Sequence, residues 1–170
     1  MKLYYIFCLL FLILSSCATR KSGTSDKSDR AENYQELLNE AEARASNEGR
    51  EILTLSRSMI SSHEKISGSC WNYINTIYNR SGHPLKQRDV VFKGKLRGPY
   101  ADFNLIQPGD WLYYVNHSYK GTEHSGIFVD WTNKDKKEAL MISYAGEKRN
   151  TPARYKVYKL TNVYNIIRPK

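Results

Sequence analysis

The period of the apolar residues changes partway along the chain, and few folds accommodate that change. Up to Arg80, apolar side chains recur every three or four residues; beyond Pro108 they come in short runs of strand type. Ala31 to Asn47 places Tyr34, Leu37, Leu38, Ala41 and Ala45 at helical spacing, with Gly49 expected to cap the end. Glu51 to Ile66 carries Ile52, Leu53, Leu55, Met59 and Ile60, a second amphipathic helix. Ser67-Gly68-Ser69 interrupts. Cys70 to Arg80 then forms a third helix on Trp71, Ile74, Ile77 and Tyr78, closed by Ser81-Gly82. Pro84 to Gln107 reads as a long loop with short extended pieces. Strands follow at Asp110–Val115, His124–Trp131, Ala139–Ala145, Tyr155–Leu160 and Val163–Arg168. Helices first and strands afterward predict an α+β domain, its N-terminal helices packed on a mostly antiparallel sheet. The 170 residues suffice for an apolar core without a metal or disulfide framework. No repeat with a period of 20–50 residues is present.

The first residues read as an export signal. Met1-Lys2 is followed by the apolar run Leu3 to Leu14 and by Ser15-Ser16-Cys17. The run is short for a membrane span, and a mean hydropathy of -0.61 excludes a polytopic membrane protein. Leu14-Ser15-Ser16-Cys17 resembles the lipobox of bacterial lipoproteins. That resemblance implies cleavage after residue 16, lipidation of Cys17 and attachment to the membrane through its acyl chains. Ala18 follows Cys17 where an aspartate would imply inner-membrane retention, so the outer membrane is favoured. The polar stretch 17–30 reads as a flexible tether, 31–66 as N-terminal helices and 67–170 as the functional domain.

The charge of +9 falls by one, to +8, once Lys2 is removed with the signal. A basic exported chain meets anionic lipid, acidic glycan and the carboxylates of cell-wall peptides, and nucleic acid is excluded by compartment. Of three cysteines, Cys8 leaves with the signal and Cys17 carries lipid, so Cys70 is the only free thiol of the mature chain. A lone exported thiol is either a small buried hydrophobe or a nucleophile.

The second alternative has support. Cys70 stands at a helix start, where unpaired N–H groups and the helix dipole favour thiolate. His124 opens a strand, in reach to form a thiolate–imidazolium pair and to protonate a leaving group. The same N–H groups can hold the oxyanion of acyl transfer.

Three segments carry a resemblance. They are Cys70-Trp71-Asn72-Tyr73-Ile74 running to Ser81-Gly82, Leu105 to Tyr114 around Pro108-Gly109-Asp110, and His124-Ser125-Gly126-Ile127-Phe128-Val129. In order and spacing this region, about residues 65–168, resembles the NlpC/P60 family of cell-wall cysteine peptidases, a compact papain-like fold. The resemblance implies Cys70 as nucleophile and His124 as base. It also implies hydrolysis of amide bonds in peptidoglycan stem peptides through an acyl-enzyme, with no cofactor and a single copy of the chain. The family's polar orienter on the third strand falls at Ser143. Two departures stand out: Ser69-Cys70-Trp71-Asn72 replaces the usual Asp-Cys-Ser-Gly, and Ser143 lacks charge. Gly68-Ser69-Cys70-Trp71 is also similar to the papain signature, but His124 follows too soon for papain itself.

Other readings stay open. The fold can serve a wall-binding lipoprotein without efficient catalysis, or a cysteine amidase or acyltransferase with another substrate. His124 can be a strand-end residue with only local bonds, and His117 is a rival base. Ser143 can be an ordinary strand residue. His63 and His83 read as surface, and Asp110 as a turn residue. No His-x-x-x-His or Cys-x-x-Cys spacing suggests a metal. Lys134 to Glu138 reads as a solvated hairpin loop, and Trp111, Tyr113, Tyr114 and Trp131 as core and sheet surface.

Overall fold

Three helices precede six strands in a computed structural model that describes residues 25–117 and 120–170. The export signal and Cys17 lie outside the described residues. Helix α1 (Ser25–Arg44) begins inside the segment read as a tether. From residue 25 to Leu38 no Gly or Pro stops a helix from propagating backward from the packed turns around Leu38 and Ala41.

Helix α2 (Asn47–Ser61) begins earlier than its apolar pattern implies, because Ser46 caps it: the Gly49 N–H donates to Ser46 Oγ over 3.0 Å. Gly49 is therefore in the first turn of α2 and does not close α1. It is fixed there by contact. A Cβ on Gly49 would stand 2.6 Å from the Pro108 carbonyl oxygen, and one on Gly109 would stand 2.6 Å from the Gly49 Cα. The helix start thus rests backbone to backbone on the turn that launches the sheet. Helix α2 stops at Ser61, short of Ile66, where His63 takes a positive φ of 56°.

Helix α3 (Cys70–Arg80) has the expected limits, and its buried Tyr73, Ile74, Ile77 and Tyr78 form one face. Strands β1 (Arg88–Lys93), β2 (Trp111–Asn116), β3 (Thr122–Asn133), β4 (Glu138–Ser143), β5 (Arg154–Lys159) and β6 (Val163–Pro169) form one sheet. Its order is β1-β6-β2-β3-β4-β5, and every neighbouring pair is antiparallel. The α+β expectation therefore holds.

Alternation along the strands sends Trp111, Ile127, Leu140 and Ile142 toward the helices, where they pack with Leu38, Ile52, Leu53, Ile74 and Ile77. Leu112, Tyr114, Phe128, Met141, Tyr158 and Ile166 form a second core on the opposite face, covered in part by Ala101 and Phe103 from the β1–β2 connection.

Two sequence readings need correction. The segment read as a long loop with short extended pieces contains a full edge strand of the sheet, β1, anchored by charge as much as by apolar alternation. Arg88 donates to the His83 carbonyl and to Asn75 and Asn79 of α3, and its guanidinium lies 5.0 Å from the Tyr78 ring centre. His83 is not on the surface: it is 5% exposed. The turn after α3 tucks it under α2, with Nε2 2.9 Å from Glu51 Oε2 and Nδ1 3.1 Å from the Lys170 carbonyl oxygen. Asp110 does end the turn, as read, but it is also buried. Arg168 from β6 donates to both its carboxylate oxygens at 2.8 Å, and the Gln107 N–H donates to one of them.

Candidate active site

The site begins with the loop before α3. Gly68 has φ +105°, and a Cβ there would meet Asn72 Oδ1 at 2.4 Å, so the position requires glycine. Asn72 folds back to accept from the Ser69 N–H at 2.9 Å and from its hydroxyl at 3.1 Å, which holds the first turn in place. Glu147 grips the same loop from the β4–β5 connection. Its carboxylate accepts from Ser67 Oγ and the Gly68 N–H, while its own N–H donates to the Gly68 carbonyl. The Tyr144 hydroxyl donates to the Ile66 carbonyl over 2.7 Å. Cys70 is thereby set as the first residue of α3, where its backbone N–H has no carbonyl partner within the helix.

Strand β3 supplies the groups that face the thiol. Ser125 turns toward α3, and its hydroxyl donates to Cys70 Sγ at 3.5 Å. His124, its neighbour, sits between Tyr114 (ring centroids 5.6 Å, near edge-on) and Tyr158 (5.8 Å), and lines the same groove as Cys70. Its Nε2 lies 3.1 Å from Ser143 Oγ, which leaves Nδ1 as the ring nitrogen available for proton transfer with the thiol. Ser143 Oγ is in turn 2.9 Å from the Tyr158 hydroxyl.

Electrostatics at the sulfur run in two directions. Burial pushes the thiol up. Hydrogen bonds from His124 and Ser125, together with the His124 charge, outweigh it and bring Cys70 down to about 7 from an ordinary 9.0. About half the thiol is then ionised at neutral pH, against a few per cent for an unperturbed cysteine. The chemistry available is nucleophilic attack by sulfur and proton transfer by Nδ1.

The three residues singled out from sequence, Cys70, His124 and Ser143, are thus brought together. The rival His117 is held elsewhere, 2.6 Å from Asn162 Oδ1, and His63 is exposed on the far end of α2. Two participants were not foreseen. Tyr158 extends the imidazole chain by one hydroxyl, and Glu147 fixes the nucleophile loop; neither has a local motif, because each acts across 15 or about 79 residues of chain.

The chain of hydroxyls has a polarity. If Ser143 accepts from Nε2–H, its own proton goes to Tyr158, and Nδ1 keeps a lone pair toward the thiol. Ser143→Ala is therefore expected to slow the chemical step by roughly tenfold, and Tyr158→Phe by a few-fold, as one neutral hydrogen bond is worth about 1 kcal/mol. A kcat loss with unchanged KM on any cleaved amide checks this; equal losses in both parameters would mean general disruption of the cleft.

A groove of about 390 Å³ exposes Cys70 between Ser69, Tyr144, Gly146 and Lys148. A second, of about 570 Å³, runs past Ser143, Arg154 and Lys156, and the two meet along His124 and Ala145. Among the described residues no group of three or more His, Cys, Asp or Glu side chains stands together to hold a metal ion. Compared with known proteins, the chain matches no family model, no curated protein and no solved structure.

Proposed function

We propose that the protein is a cysteine hydrolase of NlpC/P60 type, acting on amide bonds of peptidoglycan stem peptides. The observation that carries this reading is Cys70 at a helix start, with Ser125 donating to its sulfur, His124 lining the same groove and Ser143 hydrogen-bonded behind the imidazole; these neighbours bring the thiol down to about 7. In the first step the thiolate attacks the carbonyl carbon, a C–S bond forms, and the carbonyl oxygen takes the electron pair beside the Cys70 N–H. The C–N bond then breaks, and the amine leaves with the proton held by His124. Water, deprotonated by the same imidazole, cleaves the thioester and returns the thiol and a carboxylic acid.

The cell-wall assignment rests on the export signal, the lipobox ending in Cys17 and the order of the Cys70, Pro108-Gly109-Asp110 and His124 segments. By that reading the mature protein is anchored in the envelope by lipid on Cys17, with the outer membrane favoured. Among the described residues no helix is long and apolar enough to cross a membrane.

A second reading draws on Ser143. An uncharged partner stabilises an imidazolium less than a carboxylate does, and this favours a wall-binding lipoprotein that keeps the fold without efficient turnover.

Alkylation of Cys70 against pH separates the two on protein that begins after Cys17. The thiolate is the reactive form, so the rate should rise with pH and reach half its plateau near pH 7. In His124→Ala the midpoint should move up toward the ordinary thiol value, lowering the rate at pH 7 by about tenfold. A midpoint near 8.5 or above in the unmodified protein would favour the binding reading.

A further inference from the structure

We infer that the 570 Å³ groove beside His124 binds an oxyanion group, carboxylate or phosphate, on the departing half of the substrate, through Arg154 and Lys156. The inference rests on the hydrolase reading and adds to it a chemical class for the leaving group.

The placement of the two cations follows from strand geometry. Along β5 every second residue shares a face, so Arg154, Lys156 and Tyr158 point the same way. Tyr158 fixes which way, because its hydroxyl meets Ser143 behind His124. Arg154 is the direct cross-strand partner of Ser143, which puts its Cα about 5 Å from that of Ser143. The Lys156 ammonium lies 4.9 Å from the Tyr158 ring centre, its stem laid over the residue that ends the imidazole chain. Both side chains line the groove and are exposed.

Charge in the groove is one-sided. Arg149, Arg154 and Lys156 line it with one acid, Glu123, whose carboxylate already accepts from the Tyr164 hydroxyl. Neither Arg154 nor Lys156 has an ion-pair partner among the described residues. Two cations without an ion-pair partner, in a concave wall where cations outnumber the one acid, attract an anion, and a guanidinium offers a carboxylate or phosphate a bidentate fork.

Direction comes from the dyad. Sulfur attacks from the α3 side, and Nδ1 of His124 hands its proton to the leaving amine. The amine therefore departs over His124, away from α3 and toward β4 and β5. An anion bound by Arg154 and Lys156 belongs to that half.

The test compares Cys70 alkylation by iodoacetate and by iodoacetamide at pH 7 and low salt. The two reagents differ in charge, and their rate ratio cancels changes in the thiol itself. In the double variant with Arg154→Glu and Lys156→Glu the iodoacetate-to-iodoacetamide ratio should fall by about tenfold. In the unmodified protein the ratio should fall as salt is raised toward 1 M. A ratio insensitive to both changes overturns the inference. A thiol that reacts with neither reagent would instead remove the hydrolase reading. The anion site is then judged by itself, from amide chemical shifts during titration with glutarate and with glycerol 3-phosphate. Shifts at residues 154–156 that vanish in the double variant support it, the stronger ligand naming carboxylate or phosphate as the source, and their absence overturns it.

Discussion

Cys70→Ala is expected to abolish the proposed stem-peptide hydrolysis, a loss on the order of 10⁴-fold or more, as removal of a nucleophile gives in other hydrolases. No neighbouring group can substitute. Ser125 Oγ lies 3.5 Å from the sulfur but spends its proton on it, and the Ser69 hydroxyl is engaged by Asn72. Once the thiol is gone, neither hydroxyl stands near ionisation at neutral pH as Cys70 does. The substitution removes one atom from a partly exposed position, so the melting temperature should move by no more than a few degrees. Release of new amino groups from purified stem peptide measures the effect. Turnover surviving in Cys70→Ala would rule out Cys70 as the nucleophile and move the chemistry elsewhere.

The largest effect on stability is expected at Arg168. This residue gives Asp110 two hydrogen bonds at 2.8 Å and a third to the Leu105 carbonyl at 2.6 Å, while Asp110 is 1% exposed. Burial already pushes the Asp110 carboxyl up, against the pull of Arg168 and the Gln107 N–H. Arg168→Met strands that carboxylate and should cost about 3–5 kcal/mol, a fall in melting temperature on the order of 10 °C for a chain of this size. The sign with pH follows. A carboxyl whose folded pKa is raised favours the folded state when protonated, so the deficit should be smallest at acid pH and grow as pH rises through the raised value. Adding Asp110→Asn to Arg168→Met should recover part of the loss at neutral pH. A double variant no more stable than Arg168→Met alone would show that packing of the arginine, and not the stranded charge, dominates.

The periodic elements were legible in the sequence because their signals are local. Helix α3 was bounded by Ser69 and Ser81-Gly82, and β2 to β6 came within two residues of their expected limits. Cys70 and His124 were singled out because each opens an expected element, and Ser143 only because the family resemblance aligned it with the third strand; the fold brings the three near one another. What was missed depends on distant partners. Strand β1 has only Val90, Val91 and Phe92 as apolar content and a bulge between Val90 and Phe92, so no alternation marks it. Its anchor is Arg88 on α3. His83 looked like a surface residue because its burial is imposed by Glu51 and the Lys170 carbonyl, 32 and 87 residues away. Gly49 looked like a helix terminator because its close approach to Gly109 leaves no trace in its neighbours.

The position of β6 bears on when the molecule can exist at all. This strand lies between β1 and β2, and it brings Arg168 to Asp110. A nascent chain lacking residues 163–169 has an interior gap in its sheet, an edge strand with nothing beside it and a buried carboxylate without its cation. The native sheet therefore stays out of reach until residues 163–169 have been made. On the exported-lipoprotein proposal, this delay would keep the chain threadable through a narrow channel, with folding deferred to the far side.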